Sequence, residues 1–194
     1  YSHWQRLLLR WVGFFRQSVP SVAIRCEVGM PRRLIREMGE GVMDLAVLYR
    51  PEQRAGLIVE ELMADRLILV SARPDIPLTD NYIFIDWGEA FRNAHAEDFS
   101  ALHNPGLTLD LGALGVQLLI NQQGAGYFPE RVVQPHLEAG HLTKIEGYPD
   151  YEYPAYLVYQ ANFSTPSIMR SALTSLRQVA AQAIDGDLPP PFWG

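Results

Sequence analysis

Gly29-Met30-Pro31-Arg32-Arg33-Leu34-Ile35-Arg36-Glu37-Met38-Gly39-Glu40-Gly41-Val42-Met43-Asp44-Leu45-Ala46-Val47-Leu48-Tyr49 reads as a turn, a short helix, a reversal and a buried strand. Proline suits the first turn of a helix, where its missing N–H costs nothing. Leu34, Ile35 and Met38 then recur at helical spacing, and Gly39 and Gly41 mark the stop. Met43 to Tyr49 is too apolar for a half-exposed strand and too short for a buried helix. Working upstream, Trp4, Leu7, Leu8, Trp11, Phe14 and Phe15 lie at helical spacing, with Ser2 placed to cap that helix and Pro20 to end it. Residues 21–29 alternate as a strand. Helix, strand, helix, strand is the order of parallel strands joined by helical crossovers.

Downstream, Leu57 to Met63 and Leu67 to Ser71 are strand-like runs that form either a hairpin or two passes across the sheet. Residues 72–81, with two prolines and little periodicity, read as a crossing between lobes. A second alternation follows. It comprises a strand at 82–85, a helix from about Glu89 to Phe99, a strand at 107–109 and a helix from about Gly112 to Gln122. Residues 124–129 read as a loop, followed by a helix from about Glu130 to Ala139 and a strand at 142–146. Residues 147–154 make a second irregular crossing, a strand resumes at 156–159, and a helix runs from Thr165 to about Ile184. Two crossings give an inserted lobe. Residues 1–76 with 155–194 form the first lobe and 77–154 the second.

Composition excludes several functions. Of 194 residues, 48% are hydrophobic, which is enough for a globular core, and a formal charge of −6 leaves no basic footprint for nucleic acid. The lone cysteine, Cys26, alternates with Val22, Ile24 and Val28 and is expected in a core, in a reducing compartment. No apolar run reaches the ~20 residues of a membrane span. The five histidines show no i, i+3 or i, i+4 pair, so no metal site is expected. Neither the Gly-x-Ser-x-Gly elbow nor a phosphate-binding Gly-rich loop occurs, and Gly124-x-Gly126 lacks a third glycine, so no cofactor is expected.

Gly41-Val42-Met43-Asp44-Leu45-Ala46-Val47 resembles the G-x-x-D-L-A-I strand of LysR-type transcription regulators, and Glu60-Glu61-Leu62 followed by Leu67-Ile68-Leu69-Val70 fits beside it. Gly124-Ala125-Gly126-Tyr127-Phe128-Pro129, with the following helix and Gly140-His141-Leu142, is similar to that family's G-x-G-I-x-x-L-P segment and its G-x-L strand. Tyr127-Phe128 in place of an apolar Ile, and Asp86-Trp87-Gly88, depart from the common pattern. The resemblance spans nearly the whole chain. It implies an α/β fold of two Rossmann-like lobes, of the type 2 periplasmic-binding-protein architecture, with a small effector in the cleft between lobes. It also implies a cytoplasmic protein that turns over no substrate and touches DNA only through a winged helix-turn-helix absent from this chain. A homodimer or tetramer is implied, with helix one and the strand at residues 22–28 at the interface.

Open parallel sheets place ligands at strand carboxyl ends, against helix N-termini that favour anions. The candidate effector contacts are accordingly Ser2, Met30, Pro31, Arg32, Trp87, Gly88, Leu111, Gly112, Gly126, Tyr127 and Phe128. Ser2 either meets the effector or caps helix one. Trp87 either stacks on a flat effector or packs in the core. Arg32 or Arg33 would pair with a carboxylate. An aromatic compound or a carboxylate is the expected ligand class. Two other functions use the same fold. A transporter's solute-binding protein would carry a secretion signal, and an enzyme would need a titratable pair with shifted pKa values.

Overall fold

The computed structural model describes residues 7–49, 51–99, 102, 107–109 and 112–184. In chain order the elements are α1 (Leu9–Ser18), α2 (Pro31–Gly39), β1 (Leu45–Tyr49), β2 (Leu57–Met63), β3 (Arg66–Ser71), α3 (Leu78–Asn81), β4 (Ile83–Ile85) and α4 (Glu89–Asp98). There follow β5 (Leu107–Leu109), a 3-10 turn at Gly112–Leu114, α5 (Gly115–Asn121), β6 (Ala125–Pro129), α6 (Glu130–Glu138), β7 (Thr143–Lys144), β8 (Tyr151–Glu152), β9 (Ala155–Gln160) and α7 (Pro166–Ile184). The chain forms two units, one running to Ala64 and resuming at Pro154, the other Asp65–Tyr153.

In the first unit the sheet order is β1-β9-β2 and both pairings are antiparallel, with Val47 opposite Leu157 and Val59 opposite Val158. Alternation along β1 divides its side chains between two cores. Leu45, Val47 and Tyr49 pack with Trp11, Phe15, Leu173 and Leu176 of α1 and α7, whereas Ala46 and Leu48 pack with Leu34, Ile35 and Met38 of α2. Burial on both faces explains why residues 45–49 show no polar alternation. α2 is closed at its far end by side chains, since Gln160 Nε2 donates to Met38 O at 2.9 Å and Arg54 reaches Ile35 O.

Three expectations fail in this unit. The parallel pairing is replaced by antiparallel pairing because β9, returning after the second unit, lies between β1 and β2. Residues 21–29 form no strand; Val22 and Ile24 pack against the first core but no ladder forms, and alternation by itself supplies no partner. Cys26, on that segment, is exposed rather than buried.

In the second unit β3 is central, pairing antiparallel with β6, β7 and β8, while β4 and β5 run parallel and Tyr82 bridges to Ala125. β2 and β3 therefore belong to different sheets and form neither a hairpin nor neighbouring passes. Every ladder partner of β3 lies in the second unit, which runs from Asp65 to Tyr153. Residues 124–129 are no loop. β6 is buried along its length, and a Cβ at Gly126 would lie 2.7 Å from Ile83 O, so glycine is what lets β4 and β6 approach.

Candidate functional site

Met30 is extended (φ −68°, ψ 141°) and Pro31 begins α2. Met30, Pro31, Arg32, Ile35 and Glu52 line an open depression of about 280 Å³ there. Met30 stands 63% exposed, while Ile35 is buried against the α2 core. Arg32 Nε lies 3.5 Å from Glu52 Oε1. Arg33 is committed elsewhere, to Glu27, Glu37 and Val28 O. Of the two arginines considered from sequence, Arg32 is thus the one at the depression.

Sequence reasoning missed Ile35 and Glu52 as lining residues. Glu52 follows the carboxyl end of β1, and nothing in its local spacing marks it as a lining residue. Ile35 lies about one turn beyond Arg32, on the apolar face that it shares with Leu34 and Met38.

The second unit brings Trp87, Gly112, Tyr127 and Phe128 together. Trp87 is buried, its Nε1 donates to Tyr127 O at 2.7 Å, and its ring meets Phe128 and Tyr153 edge-on at 5.7 and 5.5 Å. Gly112, at φ +52°, would bring a Cβ within 3.7 Å of that indole. Gly88, at φ +101°, donates its N–H to Asp86 Oδ1, and Asp86 is also paired with Arg92 at 2.6 Å. Tyr127 and Phe128 are fully buried, and Tyr127 donates its hydroxyl to Pro149 O. Burial pushes the Tyr127 phenol well above its ordinary range. Gly126, Tyr127 and Phe128 are all buried on β6. Ser2 and Leu111 lie outside the described residues.

The carboxylates with shifted pKa values, Glu60, Asp75 and Glu130, are not among the residues that line the depression. Glu60 is held below the usual range by its hydrogen bonds from Arg177, Glu130 by those from Arg66, and Asp75 by those from Arg73. All three sit in ion pairs. Among the described residues no three His, Cys, Asp or Glu side chains gather as a metal site, and no helix is long and apolar enough to cross a membrane.

Residues 2–181 match the LysR substrate binding domain family. The chain belongs to that family. LysR regulatory domains of known structure share the fold. The regulatory domain of a HypT mutant from Salmonella typhimurium superposes with a TM-score of 0.70 at 16% identity, covering 91% of this chain and 94% of that one. That of an OxyR2 mutant from Vibrio vulnificus gives 0.67 at 17%, covering 92% and 91%, and that of MetR from N. meningitidis 0.65 at 18%, covering 94% and 89%. A comparison with curated protein sequences found no match. The LysR substrate-binding domain is a regulatory, non-catalytic module with the two-lobed fold of type 2 periplasmic binding proteins, and this chain is the effector-binding part of a LysR-family transcription regulator.

Proposed function

We propose that this LysR domain senses a small molecule held at the start of α2 by Met30, Pro31 and Arg32, with Ile35 and Glu52 completing the contact. The observation that carries the reading is the depression of about 280 Å³ at that helix start, apolar below and charged at its rim. In the second unit the proposed contacts are Gly88 and Gly112, which are half-buried, and Trp87, Gly126, Tyr127 and Phe128, which are buried. The effector favours one arrangement of the protein through its differential affinity, and DNA is reached through an N-terminal winged helix-turn-helix outside this chain, in the cytoplasm.

The regulator works as a homodimer built on α1 and residues 22–28. Phe14 is 47% and Val28 55% exposed, and residues 22–28 have no ladder partner among the described residues. A thermal-shift screen of small carboxylates, aromatic metabolites and amino acids on this chain tests the effector reading. A saturable stabilisation that Met30→Asp and Arg32→Glu both abolish supports it; hits indifferent to both changes overturn the placement. Sedimentation of Phe14→Glu and Val28→Lys variants, expected to be monomeric, tests the dimer.

A further inference from the structure

Met30, Pro31 and Ile35 give the depression its apolar surface, and the charged residues that line it are one cation and one anion, Arg32 and Glu52. Their side chains are 91% and 70% exposed with Nε and Oε1 3.5 Å apart, a screened contact that opens at little cost. A simple carboxylate docking on Arg32 would stay within reach of the like charge of Glu52, and a simple amine docking on Glu52 would meet Arg32. A molecule bearing both charges close together replaces one exposed pair by two. The formal charge of −6 on the whole chain adds a general bias against free anions.

Resting on the effector reading above, we infer that the ligand class is a small zwitterion with an apolar side chain, of the free α-amino acid type. Its carboxylate faces Arg32, its ammonium faces Glu52, and its side chain covers Met30, Pro31 and Ile35. A space of about 280 Å³ takes a molecule of leucine or methionine size. Arg33 adds no second positive group, since Glu27 and Glu37 already hold it.

Calorimetric titration of the chain with L-leucine, L-methionine, 4-methylpentanoate and 3-methylbutylamine tests this. At least one amino acid should bind saturably, roughly tenfold or more tighter than either singly charged analogue. Glu52→Gln should lower leucine to the level of 4-methylpentanoate, and Arg32→Gln to that of the amine. Both positions are exposed, and circular dichroism verifies that the variants fold. Equal binding of 4-methylpentanoate and leucine to the unaltered chain overturns the zwitterion and leaves the effector site standing. Failure of all four compounds also overturns it. The library screen then separates the two readings, because a hit lost in Met30→Asp and Arg32→Glu retains the effector site, and no such hit removes both.

Discussion

Trp11 Nε1 donates to Ser175 Oγ at 2.9 Å, tying α1 to α7 across almost the full length of the first unit's sequence, and a second, longer contact runs to Ala172 O at 3.2 Å. Both residues are buried, and the Trp11 ring stacks on Phe15 at 5.3 Å. Ser175→Ala leaves the indole its longer carbonyl contact and should cost about 1 kcal/mol, the net worth of one hydrogen bond. Trp11→Ala, which opens a cavity, should cost about 3–5 kcal/mol. Urea unfolding of the two variants measures both; equal losses would show that the indole N–H, not its bulk, holds α1.

Gly126 and Gly13 should respond in opposite directions to the same added methyl. At Gly126 the new Cβ would lie 2.7 Å from Ile83 O and 3.1 Å from Leu119 Cδ1, and a backbone carbonyl cannot swing aside. Gly126→Ala should therefore destabilise by about 1–3 kcal/mol. Gly13, exposed within α1, has nothing within 4 Å of its Cβ position, so Gly13→Ala should stabilise by about 0.5–1 kcal/mol through helix propensity. Thermal melts of the pair give the signs directly.

Glu60 links β2 to α7 by accepting from Arg177 Nε and Nη2 at 2.7 and 3.0 Å, and from the Tyr159 hydroxyl at 3.1 Å. Its folded pKa is depressed below the ordinary 4.5. The stabilisation is therefore complete above 4.5 and is lost as pH falls through the depressed folded value. Both partners are part-exposed, so the gain is at most about 1 kcal/mol. Glu60→Gln should lower stability at pH 7 and flatten its decline in acid, read by denaturant midpoints at pH 7 and at successively lower pH.

The Tyr82 hydroxyl and His95 Nε2 share a hydrogen bond of 2.7 Å inside the second unit, where both side chains are buried and His95 stacks on Phe99 at 4.8 Å. Tyr82→Phe keeps the ring and removes the hydroxyl, so its cost, about 1–3 kcal/mol, reports the buried polar contact alone. Melting temperature is the readout. An unchanged value would mean that His95 repairs the loss with another neighbour.

How much was legible varied with the kind of signal. α2 could be read because three independent features agree: Pro31 at its start, Leu34, Ile35 and Met38 on one face, and Gly41 at φ +74° after its end. α4, α6 and α7 likewise carry helical periodicity, and all three form close to their expected limits. β6 escaped notice because two glycine-spaced residues beside Tyr127 and Phe128 show neither period, and burial on both faces removes the alternation that marks a strand. Residues 22–28 erred the other way, having the alternation without a partner.

The sequence by itself determined the local elements and, through the Gly41–Val47 and Gly124–Val133 patterns, the family, because periodicity, caps and spaced motifs are written in consecutive residues. Only the tertiary structure decided that β9 runs between β1 and β2, that β3 belongs with β6, that Tyr127 and Phe128 are fully buried, and that Glu52 comes beside Arg32. Each of these is set by pairing or packing between distant segments, whose free energy depends on which surfaces meet and leaves no periodic trace along the chain.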